Sequence, residues 1–222
     1  MKGKVYLVGA GPGDYKLLTL KGLECIKKAD VIVYDRLANK NYLKEAKENC
    51  EFIYVGKASS NHTLPQDDIN RVIADKAKEG KIVTRLKGGD PYVFGRGGEE
   101  GELLKEEGIE FEVVPGITSA IGGLCYAGIP ITHRDYASSF HVITGHLRDD
   151  DKENPEINWN ALANTNGTLV FLMGVANLQK ISSNLIKEGK SKDTPVALIS
   201  WATRSNQRVI TSTLENVYET AV

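Results

Sequence analysis

This 222-residue chain carries none of the markers of an oxidising or membrane setting. Its three cysteines, Cys25, Cys50 and Cys125, are an odd number, widely spaced, with no C-x-x-C pair. That pattern speaks against a disulfide framework or a zinc site, and each is expected to be a small buried hydrophobe. No stretch approaches the roughly 18 apolar residues that a membrane-spanning helix needs, so no membrane partner is expected. The opening MKGKVYLVGAGPGD has no long apolar run before a small-residue cleavage site, which leaves a reducing cytoplasm as the expected compartment. An excess of one charge sign is also missing: 28 Lys and Arg stand against 29 Asp and Glu, for a net charge of −1. A general nucleic-acid binder is therefore not expected, and any anionic ligand must be met by a local patch. No internal repeat or low-complexity tract appears. No metal cluster is expected, since His133, His141 and His146 lack cysteine or carboxylate partners at ligand spacing.

Glycine is what the chain has in plenty: 22 residues, about 10% against a usual 7%. In a chain patterned for helices and strands, that richness points to backbone approaching a ligand. Short apolar runs alternate with helical periodicity through the first half. Lys4 to Val8, Asp30 to Tyr34, Glu51 to Val55, Lys81 to Leu86 and Glu110 to Val114 read as strands. Leu17 to Lys28, Asn39 to Lys47, Gln66 to Lys78 and Gly97 to Glu107 read as the helices between them. Such alternation implies crossover connections and a mostly parallel sheet.

Pro115-Gly116 punctuates the chain, and a boundary near residue 116 gives two α/β domains, 1–116 and 117–222. Each is expected to be a mostly parallel or mixed sheet flanked by helices. Beyond the boundary, Ser119 to Tyr126 reads as a small-residue helix. Phe140 to Thr144, Thr168 to Met173, Pro195 to Trp201 and Gln207 to Ser212 read as strands, with helices at Trp159 to Ala163 and Val175 to Lys187. Arg148 to Pro155 reads as a charged surface loop.

Five stretches can carry chemistry. Gly9-Ala10-Gly11-Pro12-Gly13-Asp14 follows the first strand, where glycines let backbone approach a ligand as in a dinucleotide fingerprint. Asp14 stands where that fingerprint wants Gly or Ala, and Pro12 removes an amide a pyrophosphate would use. Asp35-Arg36 ends the second strand; the carboxylate can bind a ribose hydroxyl, move a proton or cap the next segment. Gly56-Lys57 ends the third strand, with His62 nearby, both of types more often solvated than reactive. Arg85 to Glu100, RLKGGDPYVFGRGGEE, packs five glycines and three cations into sixteen residues, more than a plain loop needs. Its backbone can cradle a polar ligand and its cations can receive carboxylates or phosphates. In the fifth stretch, VPGITSA, Thr118 or Ser119 caps a helix or meets a ligand.

Taken in order, VGAGPGD, VIVYDRL, VGK, RLKGGDPYVFGRGGEE, VPGITSA, GIPITHRDYA and TLVFLMG resemble the tetrapyrrole methylase family, among the class III S-adenosylmethionine-dependent methyltransferases. The resemblance runs from Val5 to about Val217, and most closely follows the branch that methylates uroporphyrinogen III. It implies a fold with the active site in the cleft between two domains. It further implies a cyclic tetrapyrrole substrate with eight carboxylates, S-adenosylmethionine as cofactor, S-adenosylhomocysteine as its product, and a homodimer. Methyl groups would go to C2 and C7, giving precorrin-2 for sirohaem or cobalamin biosynthesis.

By the same resemblance, Pro12, Gly88, Gly89, Asp90 and Val93 would line the cofactor pocket, together with Thr118, Ser119, Met173 and Ala202. Asp35 matches the family's proton acceptor and Lys57 its proton donor. Arg36, Lys57, His62, Arg85, Arg96 and Arg134 are expected to form a basic rim for the substrate carboxylates. The chain departs from the pattern at Ser119, where Ala is common, and at Ala202, where Gly is common. The pattern also continues past a segment like Leu214 to Val222 with another helix portion and a strand, so the second domain is expected to lack its last strand. Two other readings stay open: a sister precorrin methyltransferase of the same fold, and an NADP-dependent oxidoreductase built on Gly9, Gly11 and Asp35.

Overall fold

Runs of Val, Ile and Leu with both faces apolar form the first sheet. β1 (Lys4–Gly9), β2 (Val31–Tyr34), β3 (Glu51–Tyr54), β4 (Ile82–Lys87) and β5 (Glu110–Val114) pair in parallel in the order β3-β2-β4-β1-β5. The computed structural model describes residues 3–56, 64–146 and 157–221, and the chain divides into two units, Met1–Gly122 and Gly123–Val222.

In the first unit, helices cover both faces of the sheet, as a parallel sheet requires. Val5, Leu7, Val31, Val33 and Val83 point to one side, against Ile69 and Ile73 of α2 (Gln66–Lys78) and Leu104 of α3 (Gly97–Glu106). Val8, Ile32, Leu86 and Val114 point to the other, against Cys25 and Ile26 of α1 (Leu20–Lys28) and against Tyr42. The connections after β1 and after β4 leave in opposite directions, so the carboxyl ends of these two neighbours mark the topological switch point where such sheets hold ligands.

The second unit begins within α4 (Ser119–Tyr126). β6 (Phe140–Thr144) and β7 (Thr168–Leu172) form a parallel pair, and β8 (Pro195–Ser200) and β9 (Arg208–Thr213) an antiparallel one. Ala163 of α5 (Trp159–Ala163) packs with Ile181 and Leu185 of α6 (Leu178–Lys187), Leu214, and the half-buried Phe171 and Val196. Trp159 stacks on Phe171, their ring centroids 6.2 Å apart. A last helical turn, α7 (Val217–Ala221), follows β9 and buries Val217.

Several boundaries differ from the expected ones, each for a local reason. The helix expected from Leu17 starts at Leu20, because Thr19 is extended and its Oγ1 accepts from the Gly22 amide. Before it, the Asp14 carboxylate accepts from the Lys16 amide and starts a separate 3₁₀ turn, Tyr15–Leu17. The helix expected over Asn39 to Lys47 is instead a 3₁₀ segment, Lys40–Glu45, closed by short-range bonds such as Tyr42 N–H to the Asn39 carbonyl. Val175 to Lys187 is likewise broken at Asn177, whose side-chain amide donates to the Gly145 carbonyl. Cys25 and Cys50 are buried, whereas Cys125, in the last turn of α4, is exposed. The expected surface loop at Arg148 to Pro155 lies outside the described residues. Among the described residues no helix is long and apolar enough to cross a membrane.

The 3₁₀ segment has a purpose that its shape explains. Tyr42 is fully buried, and its hydroxyl lies 3.1 Å from the Ala10 carbonyl and 3.2 Å from those of Asp14 and Tyr15. Asn39 Nδ2 donates to the Gly13 carbonyl at 2.9 Å. One short segment thus grips the glycine loop after β1 along its whole length. Burial, with the nearby Asp14 charge, pushes the Tyr42 phenol up to about 12, so it stays a donor at any working pH. Tyr42→Phe removes the only proton those carbonyls share and is expected to cost about 1–3 kcal/mol. Thermal unfolding checks this; an unchanged midpoint would show that the hydroxyl does not hold the loop.

Candidate active site

Three loops of the first unit meet at the carboxyl ends of β1, β4 and β5. Gly11 and Gly89 exchange backbone hydrogen bonds, 3.1 Å from Gly11 N–H to the Gly89 carbonyl and 2.8 Å in return. A Cβ on Gly9 would sit 2.5 Å from the Gly116 nitrogen, and one on Gly116 would sit 2.2 Å from the Gly89 oxygen. No side chain fits at Gly9 or Gly116, while Gly89 has room for one but sits at a φ of +70°, which favours glycine. Asp90 locks it: Oδ2 accepts from the Gly116 amide at 2.9 Å and Oδ1 from the Tyr92 amide at 2.8 Å. A second close approach joins the loops after β2 and β4, since a Cβ on Gly88 would lie 2.5 Å from Leu37 Cβ.

The described geometry disfavours a dinucleotide site. The glycine loop does not open a helix: α1 begins only at Leu20, so no helix N-terminus stands behind Gly9-Ala10-Gly11 to face a pyrophosphate. Asp35 is anchored within the same unit. Its Oδ1 accepts from the Leu37 amide at 2.9 Å and its Oδ2 from Arg85 Nη2 at 3.1 Å.

Arg85 belongs to a buried cluster of charges. Strand alternation puts Arg85 and Lys87 on one face of β4, opposite Glu100 in the first turn of α3. Arg85 is 3% exposed, Lys87 4% and Glu100 1%. Glu100 Oε1 accepts from Lys87 Nζ at 2.7 Å, Arg85 Nε at 3.0 Å and Gln66 Nε2 at 3.4 Å. Burial, then the Arg85 charge, hold the Lys87 ammonium below its usual value, with Glu100 opposing them. The cluster balances two cations with two carboxylates, and Asp35 is its outermost member.

Arg85 therefore does not stand on a basic rim. Its guanidinium is inside, spent on Asp35, Glu100 and the Leu86 carbonyl at 3.1 Å. Arg36 is exposed beside Asp35. Arg96 is exposed as well but forks onto Glu99 at 2.8 and 2.6 Å. Lys57 and His62 lie outside the described residues. Pro12, Gly88, Gly89, Asp90 and Val93 are half-buried in the loops just described. Thr118 Oγ1 accepts from the Ala120 amide at 3.3 Å and its carbonyl from the Gly122 amide at 2.9 Å, so Thr118 caps α4, with the half-buried Ser119 as its first residue.

In the second unit, Met173 is exposed just after β7, Ala202 lies half-buried after β8, and Arg134 is exposed. A Cβ on Gly123 would come 3.0 Å from Ala202 Cβ, a contact that a residue larger than alanine at 202 would crowd further. Backbone strain gathers in the same kinds of loop. Every non-glycine residue with positive φ among those described follows a strand end: Phe94 and Arg96 after β4, Met173 after β7, Trp201 and Thr203 after β8. Such strain collects at functional sites. Of these positions, Arg96 and Met173 are candidates from the sequence; Trp201 and Thr203 are not, and Phe94, Lys87 and Glu100 stand out there only as members of the stretch Arg85 to Glu100. Glu100 left one trace, since it shares the buried stripe of α3 with Gly97, Gly101 and Leu104.

This fold and loop set define a class. Residues 4–218 match the family of tetrapyrrole (corrin/porphyrin) methylases, and the chain belongs to that family. It is 55% identical over 217 residues, 98% of this chain and 90% of the other, to a uroporphyrinogen-III C-methyltransferase of Priestia megaterium. Among solved structures it resembles uroporphyrin-III C-methyl transferase from Thermus thermophilus complexed with S-adenyl homocysteine (TM-score 0.82, 38% identity, 99% of this chain and 87% of that one). It also resembles a cobalt precorrin-4 methyltransferase of cobalamin biosynthesis (TM-score 0.85, 28% identity, 98% of this chain and 88% of that one).

Gly116→Ala is expected to break the crossing, since its methyl would meet backbone that cannot move without dragging three loops. Overpacking of this kind costs on the order of 1–3 kcal/mol or more. Thermal unfolding of the variant is the check, and a midpoint equal to that of the parent would contradict the crossing.

Proposed function

We propose that this chain is an S-adenosylmethionine-dependent C-methyltransferase that methylates uroporphyrinogen III at C2 and C7, giving precorrin-2. The observation that carries the reading is 55% identity, over nearly the whole chain, to a protein named for that activity. The backbone crossing of Gly9, Gly89 and Gly116 supports the cofactor. It presents glycine and carbonyl groups rather than a helix N-terminus, which suits an adenosine and an amino-acid tail better than a pyrophosphate.

When bound, the cofactor supplies a sulfonium methyl: electrons of the ring carbon form the new C–C bond while the S–C pair stays on sulfur, leaving S-adenosylhomocysteine. The protein's task is alignment, exclusion of water and handling the proton that the macrocycle then loses. Asp35 takes that proton, and Lys57 is its donor counterpart. Pro12, Gly88, Gly89, Asp90 and Val93 line the cofactor with Thr118 and Ser119, and the family resemblance assigns the same role to Met173 and Ala202. Exposed Leu37, Tyr92 and Phe94 offer apolar surface to a flat macrocycle. Arg36, Arg96 and Arg134 meet its carboxylates, with His62.

A sister precorrin substrate is the competing reading, because the fold alone matches a precorrin-4 enzyme as well. Sequence identity separates them, at 38% against 28%. The enzyme works in the cytoplasm as a homodimer, a reading supported by the exposed Val209 and Ile210 on β9. Its product feeds sirohaem or cobalamin synthesis.

Two measurements test this. Calorimetry is expected to show S-adenosylhomocysteine binding and no heat with NADP; the reverse would restore the oxidoreductase. Arg36→Ala and Arg134→Ala are each expected to raise KM for the tetrapyrrole about tenfold, as loss of a charged contact of ~1.4 kcal/mol would. Affinity for S-adenosylhomocysteine should not change, and an equal loss there would refute the carboxylate role.

A further inference from the structure

We propose that Glu100 is a positioning residue that acts through Arg85 on Asp35, setting the direction in which the Asp35 carboxylate points. The proposal rests on the reading of Asp35 as proton acceptor. A continuous chain of bonds runs from inside to outside: Lys87 and Arg85 both donate to Glu100 Oε1, Arg85 Nη2 donates to Asp35 Oδ2, and the Leu37 amide donates to Asp35 Oδ1. Arg85 is pinned at three corners, to Glu100, to the Leu86 carbonyl and to Asp35. With its fork fixed this way, Asp35 has one orientation.

Stability alone does not account for Glu100. Buried charge clusters are often matched or bettered by apolar packing of the same volume. Here one carboxylate oxygen gathers three donors, while Oε2, equally buried, has none. Gln66 of α2 adds a neutral amide, and Glu99 of α3 is turned to the surface by Arg96. Neutralising Glu100 frees the Arg85 Nε corner and leaves the guanidinium its bonds to the Leu86 carbonyl and to Asp35.

The test is kcat and KM for methyl transfer to uroporphyrinogen III in the parent, Glu100→Leu, Glu100→Gln and Asp35→Asn, with unfolding midpoint and S-adenosylhomocysteine affinity measured alongside. Glu100→Leu removes the acceptor that pins Arg85 Nε and is expected to lower kcat about tenfold, leaving KM and S-adenosylhomocysteine affinity nearly unchanged. Glu100→Gln keeps an oxygen for Arg85 Nε and is expected to recover most of that loss. A purely structural role would make kcat follow the unfolding midpoint in both variants, and that result overturns the proposal. If Asp35→Asn is inactive while Glu100→Leu keeps the parent kcat, the Glu100 proposal is overturned and Asp35 keeps its role. If Asp35→Asn keeps the parent rate, the Asp35 reading itself fails. Should Glu100→Leu be too unstable to assay, Arg85→Lys, which loses the fork, decides instead: an unchanged kcat overturns the proposal.

Discussion

The first unit depends on one constraint, the passage of three backbones so close together that neither Gly9 nor Gly116 could carry a side chain. Gly9, Gly89 and Gly116 come from the ends of three neighbouring strands, and their mutual contacts bring the loops after β1, β4 and β5 into one cluster. The Gly11–Gly89 bridge, the Asp90 bonds and the Tyr42 grip then fix each loop in place. A rigid cradle of main-chain atoms at a topological switch point follows directly, before any side-chain chemistry is added.

Next to this cradle, the fold tolerates an arrangement that stability alone would not favour. Four charged groups, three of them almost wholly buried, share one carboxylate oxygen and one guanidinium. The central strand of the sheet supplies both cations and α3 the anion, so the cluster is anchored at the middle of the sheet. Its one partly exposed member, Asp35, faces the loops. Precision at the surface is obtained by fixing groups in the interior, a general route to preorganised sites.

Much of this was legible in the residues. Runs such as VIVY and EFEVV mark buried strands because both faces of a parallel sheet are covered, and α2 shows its buried Ile69, Ile73 and Ala77 at helical spacing. The 3₁₀ segment at Lys40–Glu45 was not legible, since its form comes from Tyr42 reaching carbonyls that lie far away in sequence. Arg85 reads as a surface cation in any linear view; only the register of β4 between β1 and β2, with α3 laid above, turns it inward. Glu100 hides for the same reason, a charge on a stripe that otherwise holds glycine and leucine. Phe94, Arg96, Met173, Trp201 and Thr203 take positive φ although nothing in their side chains favours it, so tertiary structure alone imposes those turns. Family resemblance, by contrast, came through in full, because seven short motifs in one order are far more specific than any one glycine loop.

The most direct measurement is an anaerobic incubation of the full chain with S-adenosylmethionine and uroporphyrinogen III, followed by the mass of the tetrapyrrole product. The expected result is a gain of two methyl groups, with a matching amount of S-adenosylhomocysteine. A tetrapyrrole of unchanged mass, from a folded protein that still binds S-adenosylhomocysteine, would contradict the assignment and make a sister precorrin the substrate to try.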